Sequence, residues 1–265
     1  MLQGKSALVT GSTRGIGAAI AAALAAQGCN VMLNGFGDAG QIESTRRELA
    51  DRCGVSVAYH GADLAQETEI DALTDATAEA FGGIDILVNN AVIRYFHGID
   101  DFPREEWRHA LAVNVTAPFV LTQNVLPRMR RKGWGRIVNF SSVLGLAARN
   151  GRADYITSKT ALLGLTRATA AETRDIEGIT CNAICPGSVL TPNTEMKISE
   201  LADAEGISFE EAKLAYRSRR GQKLDYIAPE RVAKLIVFLC QESSFDITGA
   251  AIPIDQGRSA TWLEA

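Results

Sequence analysis

Aromatic residues make up only 6% of this 265-residue chain, and it has just three histidines and seven prolines. The histidines, His60, His97 and His109, form no metal-ligand pattern, so no metal centre is expected. Few aromatics together with abundant Ala and 24 Gly favour helices of small residues over an all-β sandwich. The five cysteines (Cys29, Cys53, Cys181, Cys185 and Cys240) are scattered, odd in number and without a C-x-x-C spacing. That usage fits a reduced chain and not a disulfide framework. Cys181 and Cys185, within an apolar run, read as buried packing. An excess of basic charge is also missing: 27 Lys and Arg stand against 31 Asp and Glu, a net charge of -4. A concentrated basic surface for nucleic acid is therefore excluded. The one basic cluster, Arg217, Arg219, Arg220 and Lys223, reads as a solvated helix face. No apolar run approaches the ~20 residues of a membrane span. The opening MLQGKSALVTG has one Lys before a short apolar stretch, too brief for a signal core. A globular protein of cytoplasmic type, binding neither membrane nor nucleic acid, is expected.

What is present is alternation. Short runs rich in Val, Ile and Leu recur at 7–9, 30–33, 55–59, 84–88, 136–140, 180–184 and 251–254. Several are nearly continuous in apolar residues, the pattern of strands covered on both faces. Ala-rich amphipathic segments such as GIGAAIAAALAAQG lie between them. The fold expected is α/β: a single-domain, Rossmann-type, doubly wound parallel sheet of about seven strands spanning residues 1–265. The stretch 188–227 interrupts the alternation with charged, mixed sequence before a helix opening at Pro229. It reads as a mobile helical lid over the carboxyl ends of the strands, where such sheets bind ligands.

The first strand runs into Gly11-Ser12-Thr13-Arg14-Gly15-Ile16-Gly17, followed by a helix. Glycines permit a tight turn and close approach of backbone to a pyrophosphate, and a helix start offers unpaired N–H groups. The second strand ends at Asn34-Gly35-Phe36-Gly37-Asp38, with no charge directly at its end. Phe36 could cover an adenine and Arg14 could reach a 2′-phosphate, so these residues leave NAD and NADP both open. Asp63, beside Leu64, reads either as an acceptor for the adenine amino group or as the N-cap of a helix beginning near Gln66.

Tyr155 and Lys159 stand four apart on a predicted helix and so share a face. A free phenol titrates near ~10. A neighbouring ammonium favours the phenolate, which can then take the proton of an alcohol while hydride leaves for a cofactor. Ser142 follows a strand and should point into the ligand crevice. Asn114 is a polar residue in an apolar helical stretch, where it needs a partner. A kink bonded to water would supply one.

TGSTRGIG, Asn89-Asn90-Ala91, Asn114, Ser142, Tyr155-x-x-x-Lys159 and Pro186-Gly187 together resemble the short-chain dehydrogenase/reductase family, over essentially the whole chain. The resemblance implies a nicotinamide-dependent oxidoreductase acting on a secondary alcohol or ketone. By it, Tyr155 is the general acid/base and Lys159 activates it and binds the nicotinamide ribose. Ser142 orients the substrate oxygen, and Asn114 holds a water in a proton relay. Gly11, Thr13, Arg14, Gly15, Ile16, Gly17, Phe36, Asp63, Leu64, Asn90, Pro186, Gly187 and Val189 bind cofactor with Tyr155 and Lys159. Val92 stands where the family usually has Gly. The resemblance also implies a homotetramer, with the helices around 103–130 and 152–173 and the tail AAIPIDQGRSATWLEA as contact surfaces.

NGFGDA, YHGADL, WGRIVN, ITCNAICPG, VLTP and VFLC resemble more narrowly the 3-hydroxybutyrate dehydrogenase subgroup, which implies NAD. The subgroup's substrate residues are altered. Arg94, Arg152 and Lys197 stand where it has Gln, Lys and Gln, Leu144 where it has His, and Ser188 where it has Trp. With Ser142 and Tyr155 these five form the expected substrate pocket. Arg binds carboxylates in a bidentate fork. The pattern suggests a hydroxy or oxo acid other than 3-hydroxybutyrate, larger or bearing more than one anionic group. The alternatives are cations facing solvent around a neutral sugar or alcohol, or a non-catalytic nucleotide sensor on the same fold.

Overall fold

A computed structural model describes residues 2–219, 222 and 224–260. The seven expected strands form: β1 (Ser6–Val9), β2 (Asn30–Asn34), β3 (Val57–His60), β4 (Ile86–Asn89), β5 (Gly135–Phe140), β6 (Ile179–Pro186) and β7 (Ala251–Ile254). They make one sheet in the order β3-β2-β1-β4-β5-β6-β7, every pairing parallel. Helices α1 (Gly15–Ala25), α2 (Ala39–Cys53), α3 (Glu67–Phe81), α4 (Arg104–Leu111), α5 (Ala117–Lys132), α6 (Ala153–Thr173) and α9 (Pro229–Cys240) cover its faces. Between β6 and α9 lie α7 (Pro192–Glu205) and α8 (Phe209–Ser218).

The continuous apolar runs have a direct cause. Along β1, Ala7 and Val9 pack with α1 and α9, while Leu8 packs with α3 and α5 on the other face. Val88 of β4 follows the first pair and Leu87 the second. Both faces of the strand are dry, so both alternating positions are apolar. Two strands begin later than their apolar runs, β3 at Val57 and β4 at Ile86. Asp85 stands just before β4 and accepts from the Ser6 backbone N–H (3.0 Å) and from Lys132, joining the amino ends of two strands to α5.

The basic cluster is solvated only in part. Arg219 pairs with Glu205 and Arg217 approaches Asp225 at 3.8 Å, whereas Arg220 and Lys223 lie outside the described residues. The last five residues of the tail, 261–265, lie outside them as well. All five cysteines are free. Burial pushes the thiols of Cys29, Cys181 and Cys240 up to about 12, so they are inert packing groups. Among the described residues no helix is long and apolar enough to cross a membrane.

A polar thread crosses the middle of this apolar sheet. Asn89 Nδ2 donates to Asn139 Oδ1 (2.8 Å) and Asn139 Nδ2 donates to Thr166 Oγ1 of α6 (2.9 Å), all fully buried. Asn139→Ala should leave the Asn89 amide without its acceptor and lower the unfolding free energy by ~2 kcal/mol or more. Urea denaturation measures this, and a change below experimental error would show that the thread carries no stability.

Candidate active site

The sheet order reverses between β1 and β4, and the crevice above their carboxyl ends is where such sheets bind ligands. Two cavities open there. The first, about 650 Å3, lies over the glycine turn; Gly11, Thr13, Arg14, Gly15, Ile16 and Gly17 line it along with Phe36, Asp63, Leu64 and Asn90. The second, about 500 Å3, lies under the 188–227 segment.

The turn is built for close approach. Gly11 sits at φ +62°, and a Cβ on Gly17 would stand 2.2 Å from the Gly11 carbonyl oxygen. α1 starts beneath the first cavity with neither a side-chain cap nor an acid in its first turn, so its leading N–H groups are free for an anion. Asn90 does its work on the protein: its Nδ2 donates to the Thr10 and Gly11 carbonyls (2.9 and 3.0 Å) and braces the turn. This donor set and closely packed turn fit a dinucleotide pyrophosphate.

The two acids after β2 and β3 take different places. Asp38 caps α2 by accepting from Gln41 N–H at 2.8 Å and does not border the cavity. Asp63 is not the N-cap of α3, which starts at Glu67 after Gln66. Its Oδ1 accepts from Ala65 N–H (2.9 Å) in a turn before the helix, leaving it on the cavity wall.

Tyr155, Ser142 and Arg94 border both cavities, as do Gly187 and Val189 after β6. Ser142 caps a single 3-10 turn by accepting from Leu144 N–H (3.1 Å). Lys159, one turn beyond Tyr155, is 2% exposed and donates to the Phe140 carbonyl at 2.5 Å. Burial, and next the charge of Arg94, lower its ammonium from 10.5 to about 7. The Lys159 nitrogen lies 5.6 Å from the Tyr155 ring centre, and the Arg152 guanidinium 4.9 Å from it. Two cations therefore face this ring, where the i, i+4 spacing reveals only one.

Asn114 finds its partners in the protein. It lies in a π turn, Ala112–Thr116, between α4 and α5. Its amide exchanges two hydrogen bonds with the Ile93 backbone (3.0 and 2.9 Å) and reaches Ser158 Oγ at 3.3 Å. Ser158 in turn donates to the Tyr155 carbonyl. Asn114 thus fixes both the loop that carries Arg94 and the helical turn that carries Tyr155, and its side chain borders neither cavity.

All five altered pocket residues, Arg94, Leu144, Arg152, Ser188 and Lys197, line the second cavity. The sequence reading missed Arg149 and Arg258, which line it too, and Phe96, whose ring lies 4.0 Å from the Arg152 guanidinium and 5.2 Å from the Lys197 nitrogen. It also missed the start of α7: Thr191 caps that helix and Asn193 and Thr194 border both cavities. The pair Thr191-Pro192 carried that signal, as N-cap followed by proline at the first helical position. Val92 is 40% exposed and borders the first cavity without filling it.

Residues 5–202 match the family described as short chain dehydrogenase. The chain is 43% identical over 258 residues to D-beta-hydroxybutyrate dehydrogenase of Cupriavidus necator, covering 97% of this chain and 98% of that one. It is 39% identical over 256 residues to the protein of the same name from Rhizobium meliloti, covering 97% and 99%. Among solved structures, L-sorbose reductase from Gluconobacter frateurii, complexed with NADPH and L-sorbose, superposes with a TM-score of 0.92 at 30% identity over 98% of each chain.

Lys159 sets a pH dependence whose sign is fixed. Below about 7 the lysine is charged in both folded and unfolded chains, and its burial cost is present in full. Between there and 10.5 the unfolded chain holds the extra proton, so this group makes the cofactor-free protein more stable as pH rises. NMR titration of labelled lysine Cε should show one midpoint at about 7, moved upward by Arg94→Gln. A midpoint at the ordinary lysine value, unmoved by that substitution, would contradict the assignment.

Proposed function

The chain belongs to the short-chain dehydrogenase family, and from that premise we propose that it moves a hydride between NAD and the alcohol carbon of a small hydroxy acid, or the reverse with the oxo acid. One observation carries this reading: Tyr155 and Ser142 stand in the wall shared by a cavity over a pyrophosphate-type turn and a cavity lined with cations. An alcohol placed at that wall meets a proton acceptor on one side and a cofactor face on the other.

The nicotinamide ring, when bound, takes or gives the hydride. The residues do the rest. Ser142 Oγ orients the substrate oxygen, and Tyr155 accepts its proton as the C–H bond breaks. The cations beside the ring, Lys159 and Arg152, stabilise the charge that this role requires on Tyr155. Lys159 also lines the first cavity and would meet the nicotinamide ribose there. The Asn114 side chain, engaged by Ile93 and Ser158, serves this chemistry by holding the Arg94 loop and the Tyr155 turn in place. Gly11, Thr13, Arg14, Gly15, Ile16 and Gly17 hold the pyrophosphate end. Phe36, Asp63 and Leu64 hold the adenine end, and Pro186, Gly187 and Val189 the nicotinamide end. α7 and α8 pack Ile198, Ala202 and Ala212 with Tyr226 from the chain that follows α8, and act as the lid.

NAD is proposed on the resemblance of the NGFG ending of β2. A second reading has its own observation: no acid from the end of β2 borders the first cavity, while Arg14 does, an arrangement that tolerates a 2′-phosphate. Comparing kcat/KM with NAD and NADP separates the two, and a preference for NADP lost in Arg14→Ala would overturn the NAD assignment. We place the enzyme in the cytoplasm as a homotetramer. Exposed Phe119 on α5 and Phe238 on α9 supply apolar surface for such contacts, and sedimentation reads the assembly.

Tyr155→Phe should lower kcat by ~10²–10⁴-fold while NADH still binds, as followed by its fluorescence. A variant that keeps turnover would remove Tyr155 from the acid/base role. A wild-type protein that binds NADH and turns over no alcohol would instead be a nucleotide sensor.

A further inference from the structure

The cavity beside Tyr155 has several cations in its wall. Arg94, Arg149 and Lys197 line it, with Arg152 and Arg258, which each have a further partner in the protein, and among the described residues no Asp or Glu lines it. A single Arg fork already matches one carboxylate. Like charges gathered in one cleft repel one another and concentrate an anionic ligand there.

The cations divide by position. Arg94 borders both cavities, and Arg152 faces the Tyr155 ring, so these two serve the reacting end. Arg149 and Lys197 stand at the other end. Both, with Tyr216, Arg219 and one acid, Glu200, also line an outer cavity of about 550 Å3 running along α7. Among the described residues neither Arg149 nor Lys197 lies within ion-pair distance of a carboxylate. Lys197 rests instead near the Phe96 ring, which also carries Arg152. Volume agrees with charge: about 500 Å3 falls among pockets that take ligands far larger than a four-carbon acid.

We propose that the substrate is a hydroxy acid, or its oxo counterpart, with a second anionic group at its distal end. Arg94 and Arg152 hold the carboxylate nearest the reacting carbon, and Arg149 and Lys197 hold the second anion. This rests on the hydroxy-acid reading of the same site. The chemistry is unchanged: the alcohol carbon loses a hydride to the cofactor and its oxygen loses a proton to Tyr155, and neither anionic group is altered. A distal carboxylate and a distal phosphate ester share the required charge.

The test compares 3-hydroxybutyrate, 3-hydroxyglutarate, 3-hydroxybutyrate bearing a 4-phosphate ester, and neutral secondary alcohols, each with NAD and with NADP. At least one dianion should exceed 3-hydroxybutyrate in kcat/KM by tenfold or more, and the faster of the two identifies the distal group. Arg149→Ala and Lys197→Ala should each lower the dianion-to-monoanion ratio of kcat/KM at least tenfold, mainly through KM of the dianion. Turnover of 3-hydroxybutyrate with no gain from a second charge, or a ratio unmoved by both substitutions, overturns the dianion proposal alone. Turnover of neutral alcohols only overturns the hydroxy-acid reading and this proposal with it.

Discussion

A lysine ammonium buried to 2% exposure is the constraint on which the site rests. Its cost in an apolar interior is large unless partners meet it, and the carbonyl of Phe140 does so at 2.5 Å. That one contact ties α6 to the end of β5, and Ser141 reinforces the tie by donating to the Lys159 carbonyl at 2.7 Å. Tyr155, one turn earlier, takes its place from this anchorage, and Ser142, the next residue in the chain after Ser141, faces it from the strand side. Arg94 then raises the electrostatic tension by lowering the proton affinity of the same lysine. Tyr155, Lys159 and the cation-lined cavity are therefore one electrostatic system, not neighbours by coincidence.

The loop carrying Arg94 is held with comparable care. Asn114 engages the backbone of Ile93, and the buried carboxylate of Asp154 accepts from the Tyr95 backbone N–H at 2.9 Å. Asp154 immediately precedes Tyr155 on α6. Two polar side chains, one from a π turn and one from the first turn of α6, thus grip the backbone on either side of Arg94. Its guanidinium is aimed by the same framework that aims the tyrosine.

Much of this was legible in the chain. Strands covered on both faces read as nearly continuous apolar runs, broken here by buried polar residues such as Asn89 and Asn139, so the central strands declare themselves in sequence. Tyr155 and Lys159 share a helix face by spacing alone, and the glycine turn is required by its packing against Asn90 and Ala91. Other features come from loops that meet only in the folded chain. Arg149 follows β5 and Arg258 follows β7, and nothing in their local sequence marks them as neighbours of Lys197. Asn90 shows the complementary case. It stands where a ligand contact is expected, and its amide donates to the backbone of the turn. A short polar side chain beside unpaired backbone groups satisfies those first, and sequence spacing does not distinguish this from ligand binding.

The all-parallel sheet has a consequence for how the chain reaches this structure. No strand can find its neighbour through a local hairpin; β1 meets β4 through pairs such as Ala7 with Ile86, far apart in the chain. The central contact of the fold must close a long loop before it gains any stabilisation, and pairing of this kind is slow. Until β1 and β4 meet, the apolar faces that later carry the active site stay exposed to other chains. The topology that creates the crevice therefore also makes the newly made protein most vulnerable to aggregation before the crevice exists.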